Sequence, residues 1–367
     1  MQLLNSLQNQ LPVYPAESLL ETLEDIVKQV QIQSNFCVSH PDFKPLELPP
    51  EVVERFRQVP LDLQNKYLSL QVRSFLYGIY YNGSMRSTLE IDAENLNRDL
   101  ANNTVMGVDL EFSARLHESN QGKGYFNSGW CVVREETDGA LAVTKEGLTL
   151  HIDRDHHLEL PDQSVEIGDL VSIRMPRNLV QNGFYQAVSN AGTGPRNADH
   201  SDLVRIYFNL TAEGAVSVMA GLTEKLNETL SPFTFKVLYN PSDYDRYDSG
   251  VLYFDKSDYE TVRQVVQIVY TESQAQFQPE IPLFTKRLAP GLALAEEPDQ
   301  KFAAQESFGM NRCQIVTNGL LEAGRKGDHS PEARMVAIRQ QFSLLGIDLL
   351  YPYLNAKSED IYTPFDS

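Results

Sequence analysis

Three cysteines in 367 residues, Cys37, Cys131 and Cys313, are too few and too scattered for a disulfide framework or a zinc cluster. No run approaches the ~18 apolar residues of a membrane helix. The opening MQLLNSLQNQLPVYPAESLL has neither a basic segment nor a signal-like apolar core, so a cytoplasmic protein is expected. Positive charge is scarce as well: 31 Lys and Arg stand against 50 Asp and Glu, a net charge of −19. Such a surface repels nucleic acid and anionic membranes, and neither is expected as a partner. There is no P-loop, no G-x-S-x-G elbow, no H-E-x-x-H and no dinucleotide fingerprint. His156-His157, in LHIDRDHHLELPD, reads as a solvated turn. His40, His117, His151, His200 and His329 show no ligand spacing. Neither a metal nor an organic cofactor is implied.

What is present is an ordinary globular composition, 42% apolar and 22% charged. Residues 1–104 read as a helical N-terminal region. AESLLETLEDIVKQVQIQ has a helical apolar period, HPDFKPLELPPE reads as a loop, and LDLQNKYLSLQVRSFLYGIYYNGS reads as a second long helix. Residues 105–200 form a β-rich region of short runs such as GWCVVREE, ALAVTKEG and GFYQAVSN, closed by the polar loop 190–201. From 201 to 367 strands and helices alternate, with a capping box at Ser257–Glu260 and a last helix opened by Ser330 and Pro331. The fold class expected is α+β, with a mixed sheet in the C-terminal region.

In FTFKVLY, Phe233, Phe235 and Val237 alternate with Thr234, Lys236 and Leu238. A lysine in an apolar strand is costly unless it is paired or does chemistry. Other cations sit in similar surroundings: Arg205 in LVRIYFNL, Arg246 in YDRYDSG, Lys286 in FTKRLAPG, Arg312 in SFGMNRC and Lys123 in SNQGKGYFNSGW. Singly, each fits a structural salt bridge. Together they fit a phosphate clamp, since guanidinium and ammonium groups are the usual phosphate ligands and a helix N-terminus near Arg312 would assist. A clamp plus a lysine base is the equipment for eliminating phosphate from phosphoserine or phosphothreonine.

The stretches RIYFNLTAEGAVSVMAGLTEKLN, PFTFKVLYNPSDYDRYDSGVLYF, PLFTKRLAPGLALAEEPD and ESFGMNRC resemble the HopA effector family, as do SNQGKGYFNSGWCVV and QNGFYQAV. The resemblance covers roughly residues 105–355. Relatives in that family act as stand-alone phospho-Ser/Thr lyases in class V lanthipeptide and thioamitide biosynthesis. The chain is also distantly similar to phosphothreonine lyase effectors and to the lyase domains of class III and IV lanthipeptide synthetases. These carry K-x-H on one strand, then an F-K-V strand about one helix later, an arginine, and a strand ending in tyrosine. By position the resemblance implies that Lys236 is the base removing the Cα proton, and that Arg246, with Tyr253, meets the phosphate. The K-x-H site departs from the pattern and reads Arg205-Ile206-Tyr207, so the histidine acid is missing. Either Tyr207 takes that role or the arginines stabilise the leaving phosphate without protonating it.

The expectation is a phosphoserine/phosphothreonine lyase, with Lys236 and Tyr207 catalytic and Arg205, Arg246, Lys286, Arg312, Lys123 and Tyr253 binding phosphate. It implies a phosphorylated precursor peptide as substrate and a kinase as partner. Two alternatives stand beside it. One is a type III secreted effector acting on host phosphoproteins, since secretion signals of that type are poorly defined in sequence. The other is a phosphopeptide-binding protein without turnover.

Overall fold

The computed structural model describes residues 16–89, 104–105, 107–160, 164–193 and 202–365. The first helix, α1 (Ala16–Gln29), buries Leu19, Leu23, Ile26 and Val27, the positions its apolar period marks. A small antiparallel meander follows: β1 (Gln31–Ser34), β2 (Cys37–His40) and β3 (Phe43–Glu47). The segment read as a proline loop therefore contains a strand. Pro45 is tolerated there because β3 is an edge strand. Helix α2 (Leu61–Leu76) runs on into a π-helical turn at Tyr77–Tyr81. Helix α3 (Leu110–Ser119) is capped by Asp109, whose carboxylate accepts from the Phe112 amide at 2.9 Å.

The β-rich region supplies β4 (Tyr125–Glu135), β5 (Leu141–Lys145), β6 (Leu148–Ile152) and β7 (Leu170–Met175). They form an antiparallel sheet in the order β6-β5-β4-β7, with its own small core of Trp130, Val132, Leu141, Val143 and Ile173. The next strands leave that sheet. β8 (Asn178–Gln181) and β9 (Phe184–Val188) join β10 (Leu203–Phe208), β11 (Phe233–Leu238), β12 (Gly250–Asp255), β13 (Lys286–Ala289) and β14 (Leu292–Glu296). The seven-stranded order is β8-β9-β11-β12-β10-β14-β13. The C-terminal unit thus begins before residue 201, and most of the loop placed at 190–201, His200 included, lies outside the described residues.

Every neighbouring pair in this sheet is antiparallel, not mixed as the alternation of strands and helices suggests. The reason is local. β10 and β11 do run the same way across helix α4 (Ala212–Glu228), but β12 turns straight back and inserts between them, bonded to both. Helix α4 and helix α5 (Tyr259–Ser273) cover one face, where Phe208 meets Phe235 and Phe277, and Phe277 meets Tyr270. The π-helical turn and helix α6 (Phe308–Arg325) lie over part of the other face, with Tyr81 and Phe308 against Tyr207, and α7 (Pro331–Leu344) and α2 pack on α6.

Ser330 caps α7 as its sequence implies. The capping box at Ser257–Glu260 does not form: Asp255 takes the Ser257 amide and hydroxyl at 2.9 and 2.7 Å, and α5 starts only at Tyr259. Among the described residues no helix is long and apolar enough to cross a membrane.

Candidate functional site

Strand register fixes what shares the partly open face. Lys236 stands opposite Gln186 on one side and Val251 on the other, and Val251 stands opposite Tyr207. One row along, Thr234 faces Tyr253 and Tyr253 faces Arg205. A third row brings Asp255 beside Leu203, whose carbonyl accepts from the Glu297 amide at 2.8 Å. The alternation read from FTFKVLY holds: Phe233, Phe235 and Val237 are buried, while Thr234 and Lys236 line a cleft of about 620 Å³. Arg205, Tyr253, Glu297, Lys301 and Glu306 complete its inner wall, and Ser307, the N-cap of α6, closes it.

Three cations are strung along this face by two aromatic rings. The Arg205 guanidinium lies 5.0 Å from the Tyr253 ring centre, and Lys236 Nζ lies 5.3 Å from the same ring. Lys236 Nζ is also 4.5 Å from the Phe184 ring, over which Arg246 sits at 5.9 Å. Arg205 and Arg246 therefore belong to one side of the sheet. They differ from Lys236 in their partners. Arg205 is paired with the buried Glu297, which also takes Lys301 Nζ at 2.6 Å. Arg246 forms a two-pronged pair with Asp248, at 2.6 and 3.0 Å. Lys236 has no carboxylate partner among the described residues; its polar contact is Gln181 Oε1 at 3.5 Å.

Tyr207 is 3% exposed, and its hydroxyl makes no hydrogen bond of good geometry among the described residues; the Tyr81 hydroxyl beside it is a weak partner. Burial pushes the Tyr207 phenol well above its usual pKa, against the opposing pull of Arg205, so it stays protonated. Burial also disfavours the charge on Arg246, but Asp248 outweighs it and holds the guanidinium charged.

Tyr207 and Arg246 lie behind the cleft lining that Arg205, Lys236 and Tyr253 form; two other residues chosen from sequence lie elsewhere, and another is sealed off. Lys286 stands opposite Leu294, on the helix-covered face, and pairs with Asp360 at 2.6 Å. Lys123 is exposed and lines a separate shallow cleft with Arg174, Arg177 and His157. Arg312 is 1% exposed and binds the Pro352 and Leu354 carbonyls at 2.7 and 3.1 Å and Asn311 Oδ1 at 2.6 Å. Burial lowers its pKa to about 10. Its position in the second turn of α6 turns it inward, so it tethers the C-terminal segment and not a ligand. Arg312→Ala should cost about 2–4 kcal/mol of stability by leaving buried carbonyls unpaired. Denaturant titration checks this; binding of phosphopeptide by the folded fraction should be little changed.

Further residues reach the site that no sequence motif singled out. The π-helical turn at Tyr77–Tyr81 brings Tyr77, Tyr81 and the following Asn82 to the site. The Tyr77 hydroxyl and Asn82 Nδ2 both donate to Asp248, at 3.2 Å. The N-terminal region thus shapes the Arg246–Asp248 pair. The density of aromatics in YGIYYNG is the one signal that marked it, since π-turns gather at functional sites.

Comparison with known proteins locates the likeness. No curated protein matches the chain. An effector protein from Pseudomonas syringae pv. tomato strain DC3000 is similar in structure at 17% identity, over 67% of this chain and 81% of that one, with a TM-score of 0.40. Another, from Pseudomonas syringae pv. syringae strain 61, shares 19% identity over 47% of this chain and 63% of its own, with a TM-score of 0.37. The family match begins at the end of β7 and spans β8 to β14 together with α4 to α7: over residues 175–354 this chain matches the HopA1 effector protein family.

Proposed function

We propose that this chain is a phosphoserine/phosphothreonine lyase. It acts on a peptide phosphorylated beforehand by a partner kinase and leaves dehydroalanine or dehydrobutyrine. The observation that carries the reading is the asymmetry among the three clustered cations. Two are arginines already set against carboxylates, while Lys236, between them, has none and points into the cleft. In the proposed step Lys236 Nζ takes the Cα proton, the electron pair forms the Cα=Cβ bond, and the Cβ–O bond breaks. The Tyr207 hydroxyl passes its proton to the departing phosphate, and solvent later returns the lysine's proton to the phenolate. Arg205 and Arg246 meet the phosphate through the guanidinium N–H groups that Glu297 and Asp248 leave open, so neither buried carboxylate is stranded.

The test is mass spectrometry of a phosphopeptide incubated with the protein. Loss of phosphoric acid from the peptide with release of free phosphate is expected. A peptide returned with Ser or Thr would mean hydrolysis, and an unchanged but bound peptide would mean a binding protein. Turnover should be indifferent to EDTA, because the proposed chemistry uses only side-chain proton transfer; activity lost to chelator and restored by a divalent ion would overturn it. The family match favours one variant of this reading, in which the same elimination serves an effector acting on phosphoproteins. Biosynthesis of a lanthipeptide-type product is the primary reading, and a neighbouring kinase and small precursor gene would distinguish it from the variant.

A further inference from the structure

A second cleft, of about 550 Å³, opens where three segments distant in sequence meet. They are the Gly122–Lys123 loop before β4, the helical turn Arg154–His157, and the end of β7 with the residues just after it, Arg174 to Arg177. Each contributes basic side chains, and among the described residues no carboxylate joins the lining. In a chain of 50 acidic residues against 31 Lys and Arg, a wall of this one sign stands apart from the overall charge.

The three permanent cations here keep their charge unneutralised. Lys123 is exposed, and its ammonium has no carboxylate partner among the described residues. Arg174 is exposed as well; it stacks over Phe126, its cross-strand neighbour on β4, at 5.9 Å, and it too has no carboxylate partner among the described residues. Arg177 donates to the Asn120 and His117 carbonyls at 2.8 and 3.0 Å, which fixes its place without cancelling its charge. His156 and His157 form another wall and turn back on Asp153. A concave surface of one sign focuses the field on an anion, and clustered cations of this kind are the usual receivers of acidic peptide motifs.

The two clefts are neighbours. The Lys123 amide donates to Asn190 Oδ1 at 2.6 Å, and Thr193, three residues on from Asn190, lines the Lys236 cleft. Arg177 of the basic cleft and Gln181 of the Lys236 cleft are four residues apart along β8, roughly 13 Å at strand rise. We infer that the basic cleft docks an acidic segment, two or more Asp or Glu, of the same peptide whose phosphorylated residue enters the Lys236 cleft. The inference rests on the lyase reading for the identity of that peptide. About four extended residues are the least that bridges the clefts, so the acidic segment lies about five to eight residues from the phosphorylated one. Such docking adds affinity and sets register without touching the reacting atoms. An anionic membrane or a nucleic acid fits less well. Either extends beyond a Debye length of ~8 Å and meets the acidic surface as a whole, whereas a short segment meets the local cations.

Synthetic phosphoserine peptides test this, with three glutamates beginning about six residues before or after the phosphorylated residue, or with glutamines in the same places. Affinity is followed by calorimetry and elimination by mass spectrometry, on the wild type and on the Lys123→Ala/Arg174→Ala double variant. Both side chains are exposed, so the double variant should fold as the wild type does, which circular dichroism checks; Arg177 is left in place because it ties the end of α3. One of the glutamate peptides should bind about five- to tenfold tighter than its glutamine counterpart at low salt, the sum of two or three partly exposed charge pairs. The gain should appear in KM and not in kcat. Without such a site the net charge of −19 makes the glutamate peptide the poorer ligand. The preference should collapse in the double variant and survive in Lys123→Arg/Arg174→Lys. Equal affinity for glutamate and glutamine peptides would overturn the inference while leaving the lyase reading intact. So would a preference that persists in the double variant, or vesicles containing phosphatidylserine that bind through Lys123 and Arg174 where the glutamate peptides do not. If no peptide is eliminated but the glutamate peptides bind selectively through Lys123 and Arg174, the lyase reading fails and the docking site stands. Neither elimination nor selective binding would overturn both.

Discussion

Lys236→Ala should abolish elimination yet leave phosphopeptide affinity largely intact. The side chain reaches the cleft from the middle of β11, and among the clustered cations it is the one without a carboxylate. A lysine that takes a proton is neutral when it acts, so its loss falls on the transition state more than on the bound ground state. General base catalysis is worth ~10²–10⁴-fold, and the upper end corresponds to about 5.4 kcal/mol of barrier. The fold should survive, because Lys236 contributes ring contacts with Phe184 and Tyr253 and no buried ion pair. Small primary amines offered in solution should restore part of the rate by occupying the space that the side chain leaves.

Arg246→Ala should behave differently. A charge-assisted bond to phosphate exists in the ground state too, so affinity and rate should fall together. That variant also strands Asp248, which is 5% exposed, with Tyr77 and Asn82 as its remaining side-chain donors among the described residues, so some stability is lost with it. Calorimetric affinity and single-turnover rate on one phosphopeptide separate the two variants. Near-normal elimination by Lys236→Ala would remove it as the base. Lys286 and Lys123 cannot replace it from the far face of the sheet and from a separate cleft.

The site was partly legible in the sequence, for physical reasons that differ residue by residue. A period of two placed Lys236 and Thr234 on one face of β11, and Arg205 and Tyr207 on one face of β10, because strand geometry fixes side-chain direction locally. That these two faces coincide required β12 between them, which the return of the chain through residues 239–249 produced. Lys286 looked equivalent in composition, but a one-residue difference in register sends a strand residue to the opposite face. Arg312 carried the right charge at a helix start, yet the helix turned it into the core, where carbonyls from residues 352 and 354 were waiting. Glu297 and Asp248, which neutralise the two arginines, are distant in sequence or hidden in a turn. Carboxylates are also abundant in this chain, so nothing in their local pattern set them apart.

Tyr207→Phe should separate chemistry from packing in a single substitution. The hydroxyl is buried with the weak Tyr81 contact beside it, which offsets little of its desolvation cost. Removing only that oxygen should stabilise the fold by about 1 kcal/mol, because the ring contacts with Tyr81 and Phe308 remain. If the phenol protonates the leaving phosphate, the same change should lower turnover by ~10²–10⁴-fold. Because burial raises the Tyr207 pKa, the phenol remains protonated throughout the neutral and mildly alkaline range, and no alkaline fall in wild-type rate should arise from it. A rise in melting temperature with a collapse of single-turnover rate is therefore the expected signature. Thermal denaturation and rapid quench on one preparation measure both. A more stable protein that eliminates phosphate at the wild-type rate would show that the arginines alone carry the leaving group.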